Sequence, residues 1–149
     1  MQHNRRLSAL LLAVALGAGA CGAHGETLGE ASNSSFRVTP IAGTSLSKVT
    51  LSAAGYQRVG IVMVPARAAS DTRAAGVTLV PDSAVWYDAH GRTWVYVLAG
   101  PRTFVREPVV VAGYARALAV LSKGPAAGTA VVKVGDAELY GAEQGVPGE

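Results

Sequence analysis

Ala84-Val85-Trp86-Tyr87-Asp88-Ala89-His90-Gly91-Arg92-Thr93-Trp94-Val95-Tyr96-Val97-Leu98 reads as two strands joined by a short polar loop. Asp88 can start a turn through its carboxylate, and Gly91 can take the positive φ that hairpin loops demand. If Tyr87 pairs with Thr93, Trp86 and Trp94 fall directly opposite each other on one face. Together with Tyr87, Tyr96 and Phe104 they hold most of the aromatic surface of the chain, and such side chains bury ~150 to 250 Å² each. The ordinary use of such a group is core and cross-strand packing. A second use is a partner-facing patch capped by one tryptophan, which makes Trp86, His90, Arg92 and Trp94 the candidate partner-binding residues.

Working outward, further strand-like runs follow one another at short spacing: Val77 to Val80, Thr103 to Ala112, Ala117 to Leu121 and Thr129 to Val134. Upstream, Lys48 to Leu51 alternates like a strand. Ser52 can cap a helical turn through Ala53 to Arg58, and Gly60 ends it. Ile61-Val62-Met63-Val64-Pro65 is a buried-strand run closed by proline. The Ala- and Arg-rich passage from Ala66 to Ala75 lacks alternation and reads as a loop. Strands this close together leave no room for βαβ crossovers, so the expected fold is all-β. It is expected as a small barrel or roll of about six to eight short strands with one or two helical turns. Asp136 to Tyr140 reads as the last helical turn and Gly141 to Glu149 as a frayed tail.

The first 21 residues have a different character. A basic start, Gln2-His3-Asn4-Arg5-Arg6, precedes the apolar run Leu7 to Leu16 and the small residues Gly17-Ala18-Gly19-Ala20, a signal-peptide plan. The apolar run is far shorter than the ~20 residues a membrane-spanning helix needs. Cys21, the single cysteine of the chain, follows directly and resembles a lipobox cysteine, the site of diacylation. Ala18-Gly19-Ala20 also fits simple secretory cleavage, so lipidation and plain secretion both stay open. Gly17 to Gly22 matches G-x-G-x-x-G, but it lacks the strand, helix and distant acidic residue of a dinucleotide site. Residues 22–45, rich in Gly, Ser, Thr and Ala, read as a flexible tether, with a domain over 46–141 and a disordered tail over 142–149. Asn33-Ser34-Ser35 matches a glycosylation sequon and reads as solvated spacer.

Composition narrows the function. Of the 149 residues half are apolar and 15% charged, a globular balance, and 18 glycines with 7 prolines imply many turns. The 13 basic residues include Arg5 and Arg6, which leaves 11 against 10 acidic ones after the signal segment. No stripe of Lys and Arg remains to track a phosphate backbone, so a nucleic acid partner is not expected. After Cys21 the only histidines are His24, in the tether, and His90, at the loop tip. No nucleophile, base and orienting group are brought together by spacing, and one His, one Cys and Met63 cannot supply a zinc or copper site. No catalytic residue, metal or cofactor is expected. Asp82, Asp88, Glu107, Asp136 and Glu138 are scattered, with Asp136 and Glu138 suited to a helix start. Arg102, Arg106 and Glu107 read as surface ion-pair formers.

Val80-Pro81-Asp82-Ser83-Ala84-Val85, the hairpin Asp88 to Val97 and Phe104-Val105-Arg106-Glu107-Pro108-Val109 resemble the C-terminal, membrane-proximal domain of periplasmic adaptors (membrane fusion proteins) of resistance-nodulation-division efflux pumps. Ala119 to Val132 is similar to the strand, Gly-containing turn and Val-Val strand of that domain, with Gly124-Pro125 in place of the usual Gly-Leu and about one extra residue at Lys123. Val49 to Ile61 is similar to the segment near the mature N-terminus of such adaptors. The lipoyl halves, helical hairpin and β-barrel that separate these two regions in a full adaptor are missing. The resemblance therefore implies a stand-alone membrane-proximal domain, the part that docks on the extracytoplasmic face of a transporter. The expected function is an exported, envelope-anchored, non-catalytic lipoprotein held on the membrane through Cys21, with a membrane transporter or other envelope protein as partner. A carrier of a small apolar molecule or metal, and a purely structural envelope lipoprotein, are the alternatives.

Overall fold

The computed structural model describes residues 34–70 and 76–145. The signal segment, Cys21, His24, residues 22–33 of the tether and the last four residues of the tail lie outside the described residues.

The fold is all-β, with eleven strands and two short α-helices among the described residues. The first strand, β1 (Phe36–Pro40), pairs antiparallel with β2 (Ser47–Leu51) along its whole length, from Phe36 opposite Leu51 to Pro40 opposite Ser47. Part of the 22–45 segment, expected as flexible tether, is thus ordered as a sheet strand. Helix α1 (Ala53–Val59) starts at Ser52, whose Oγ accepts from the Gly55 amide at 3.0 Å, and stops at Gly60, where φ is 66°. Both ends follow from residue type: a serine hydroxyl satisfies an orphan amide, and glycine takes the left-handed conformation without a Cβ penalty.

The larger sheet continues with β3 (Val62–Pro65), β6 (Trp86–Tyr87), β7 (Thr93–Gly100), β8 (Thr103–Pro108) and β11 (Ala130–Val134). Its order is β1-β2-β8-β7-β11-β3, with β6 paired to β7. The smaller sheet contains β4 (Arg67–Ala68), β5 (Thr78–Pro81), β9 (Val110–Ala115) and β10 (Leu118–Lys123), in the order β4-β5-β10-β9. The expected all-β class holds, neither sheet closing into a barrel, and eleven strands are present among the described residues where about six to eight were expected. β4 lies in the passage expected as a loop, whose residues 71–75 are outside the described set.

One expected strand, Thr103 to Ala112, is two strands belonging to different sheets. The reason is at its middle. Pro108 has no amide to donate to a ladder, and Val109 turns inward instead. The Val109 amide donates to the Thr93 carbonyl at 3.0 Å, and the Thr93 hydroxyl donates to the Val109 carbonyl at 2.7 Å. Residues before this corner pair with β7 and those after it with β10.

Alternation along β7 and β11 assigns the two faces of the larger sheet to different cores. Val95, Val97 and Val131 pack with Val80, Ala119 and Leu121 of the smaller sheet. Tyr96 and Val132 point the other way and pack with Val49, Leu51, Phe104, Leu139 and Ala142. The last two belong to α2 (Asp136–Glu143), which closes that face. The expected turn over 136–140 therefore runs three residues further, into the stretch read as tail. Covered on both faces, β7 reads Trp94-Val95-Tyr96-Val97 without polar alternation, and all four are buried.

Candidate docking face

The hairpin between β6 and β7 has the register its sequence suggests: Trp86 lies opposite Trp94 and Tyr87 opposite Thr93. Its loop is built around one carboxylate. Asp88 Oδ1 accepts from the amides of His90 and Arg92, both at 2.9 Å. Asp88 Oδ2 accepts from Arg92 Nε at 2.6 Å and from the Trp94 indole N–H at 3.1 Å. The backbone closes the same turn, with the Gly91 amide on the Asp88 carbonyl at 2.9 Å and φ 74° at Gly91. Burial works to raise the Asp88 carboxyl, yet the donors from Arg92, Trp94 and His90 outweigh it and hold it well below the usual carboxylate range.

Beneath the loop the aromatic side chains form one packed layer. Two guanidinium groups lie over the Trp94 ring, that of Arg92 5.4 Å and that of Arg106 4.7 Å from its centroid. Arg106 Nε also donates to Glu143 Oε1 at 3.0 Å, and the Tyr96 hydroxyl donates to Glu143 Oε2 at 2.8 Å. The Tyr96 phenol is pushed far above its ordinary value by burial and by this bond to a carboxylate. Trp86 packs on Tyr140 of α2 with ring centroids 4.2 Å apart, and its indole N–H has no acceptor among the described residues.

The four residues singled out from sequence are therefore divided. Trp94 is buried and Trp86 half-buried, and both pack inside the domain. His90 and Arg92 are exposed at the tip, with the Arg92 side chain 61% accessible and that of Asp88 only 4%. Arg106, expected as a surface ion-pair former, is instead the buried link between Trp94 and the C-terminal helix, and Arg102 donates to the Leu51 carbonyl at 3.3 Å. Asp88 is legible in the sequence only as a turn starter, not as the acceptor of four donors, and Glu143 is not singled out there at all. The hairpin itself flagged the first. For the second, a signal was the Asp136–Glu143 run of helix formers, broken only by Gly141.

Beside the hairpin base, Tyr87, Thr93 and residues 109–114 line a solvent-open groove of about 390 Å³. The Tyr87 and Tyr114 hydroxyls are hydrogen-bonded at 2.5 Å across it, which with partial burial pushes the Tyr114 phenol up to about 12. No group of His, Cys, Asp and Glu among the described residues is arranged to hold a metal ion. No helix among them is long and apolar enough to cross a membrane.

These features define a two-sheet all-β domain with a hairpin loop fastened to the Asp88 carboxylate and exposing His90 and Arg92 at its tip. Comparison with protein-family models, with curated proteins and with solved structures found no match.

Proposed function

We propose that this chain is a non-catalytic module of the cell envelope, lipid-anchored through Cys21, that docks on a membrane transporter or another envelope protein. The observation that carries the proposal is the loop Asp88 to Arg92. Four donors on one buried carboxylate fix its shape from below, while His90 and Arg92 are left to solvent. A loop ordered before contact loses little conformational entropy when it binds, which is what a recognition element needs. The exposed charge is cationic, so the complementary surface carries carboxylates.

The signal-like first 21 residues and the resemblance of the Val80 to Val132 region to adaptor membrane-proximal domains support an envelope partner over a cytosolic one. The carrier alternative calls for a pocket lined by the aromatic group. The aromatic side chains that would line its pocket are packed on one another, with Trp86 against Tyr96 and Tyr140.

The test is a crosslinking pull-down from envelope membranes with Arg92→Ala and His90→Ala. Capture of a membrane protein that falls at least about tenfold in the double variant, about 1.4 kcal/mol of binding, supports the docking face. Undiminished capture removes it.

A further inference from the structure

We infer that the groove where β1 begins and β2 ends, walled by Ser34, Phe36, Arg37, Thr50, Leu51 and Ser52, is a site for the phosphate of an anionic lipid headgroup, held by Arg37, Arg58 and Arg102. The choice of a lipid as the source rests on the anchoring through Cys21 proposed above; the anion site itself does not.

The groove is open to solvent and holds about 400 Å³. Arg37 lies opposite Thr50, and Thr50 opposite Thr103, so the three share one face of the larger sheet. The Thr50 and Thr103 hydroxyls are 3.0 Å apart. That bond uses one of their two protons and leaves the other to donate. Arg58 Nη1 donates to Ser35 Oγ at 2.7 Å, between the groove residues Ser34 and Phe36. Arg102 is fastened to Leu51 twice: its carbonyl accepts from the Leu51 amide at 2.9 Å, and its Nε donates to the Leu51 carbonyl at 3.3 Å. Its φ of 49° lies in the left-handed region, where glycine is free of strain. What arginine adds at that turn is a guanidinium beside the groove.

Charge selects the ligand. All three arginines are exposed, and residues 34–70 contain four cations with no Asp or Glu. The ion pairs among the described residues, Arg92–Asp88 and Arg106–Glu143, use other side chains. Guanidinium forks match the oxygens of a phosphate, and the hydroxyls of Ser34, Thr50 and Ser52 supply further donors. The chain that enters the groove selects the source. Ser34 belongs to the groove wall, and Cys21 lies thirteen residues before it, at most ~45 Å of extended chain. With Cys21 in a bilayer, the groove meets headgroups at high effective concentration, so even a weak site is filled. The Asp88–Arg92 loop leads into the first residue of β7 and Arg102 follows soon after its last. A lipid in the groove therefore leaves the hairpin tip at the other end of that strand, free for a partner.

The test uses the chain from residue 22 on, because residues 32–149 form a compact unit of their own and this chain carries neither signal segment nor acyl group. Co-sedimentation should show binding to vesicles of phosphatidylcholine with about 30% phosphatidylglycerol, none to phosphatidylcholine alone, and release as salt rises. Arg37→Gln with Arg102→Gln should weaken binding at least about tenfold, whereas Arg67→Gln with Arg116→Gln, the same change of charge outside the groove, should weaken it less than about threefold. Arg102→Gly suits the φ of 49°, so it should keep the circular dichroism spectrum and still lose binding. Equal losses in the two double variants, full binding by Arg102→Gly, or no preference for the anionic vesicles would overturn the inference. So would inorganic phosphate that shifts the Phe36, Thr50 and Leu51 amide resonances while anionic vesicles go unbound, an outcome that assigns the groove to free phosphate. These vesicles hold no protein, so failure here leaves the hairpin docking standing. Conversely, a Cys21 that takes up no labelled fatty acid in cells removes the anchor and leaves the vesicle result as measured.

Discussion

Removing the Glu143 carboxylate leaves the Arg106 guanidinium buried against Trp94 and Tyr140 without a counter-charge. The Arg106 and Glu143 side chains are 11% and 3% accessible, and their contact is 3.0 Å. Glu143 also accepts the Tyr96 hydroxyl, so Glu143→Ala strands a second buried donor. Breaking a buried pair from one side costs about 3 to 5 kcal/mol, and the remaining cation–π contacts of Arg106 place this case near 3 kcal/mol. For a folded unit of this size that lowers Tm by about 12 °C. Urea unfolding followed by tryptophan fluorescence reports it directly, because Trp94 and Trp86 flank the network. The loss should be nearly independent of salt, since buried pairs are poorly screened. Arg106→Met combined with Glu143→Leu should recover most of it, as neither charge is then left alone. A cost below about 1 kcal/mol for Glu143→Ala, abolished by salt, would mean the pair behaves as an exposed one and that α2 is not fastened this way.

Further outcomes follow from local geometry. Gly135 precedes α2 at φ 99°, and a Cβ there would meet Ile61 Cδ1 at 2.5 Å; Gly135→Ala should destabilise by about 2 to 3 kcal/mol in the same urea titration. Gly55→Ala should loosen β1, because its Cβ would collide with the Ser35 carbonyl, and amide exchange across Phe36–Pro40 should accelerate. The Asp88 carboxyl is held low in the folded state. Its contribution is complete above the ordinary carboxylate value near ~3.9 and is lost as pH falls through its folded value. Glu107 and Asp136, raised by burial, act in the opposite sense. Asp88→Asn should therefore flatten the acid limb of a stability-versus-pH curve, and an unchanged limb would contradict the four-donor loop.

What could be read from sequence was local. The Asp88 to Arg92 loop, the Trp86–Trp94 register, the Ser52 cap and the Gly60 stop each depend on residues within one turn of one another. β1 was hidden because Phe36 and Val38 are its only large apolar residues in a Ser-, Thr- and Gly-rich stretch, and only pairing with β2 makes it a strand. The corner at Val109 was hidden because Val109-Val110-Val111 continues an apolar run. The change of sheet is imposed by Thr93, sixteen residues away. The Arg106–Glu143 pair spans 37 residues and has no short-range signature. Trp94 reads as available for a partner because sequence alone does not show that it is buried, with the Arg92 and Arg106 guanidinium groups over its ring.

The most direct test of the docking account is photo-crosslinking in intact cells from a photoreactive residue at His90, with mass spectrometry of the membrane fraction. The account predicts a transporter subunit or another envelope protein among the adducts, lost when Asp88→Ala collapses the loop. Adducts to lipid or soluble protein alone, or adducts indifferent to Asp88→Ala, would contradict it.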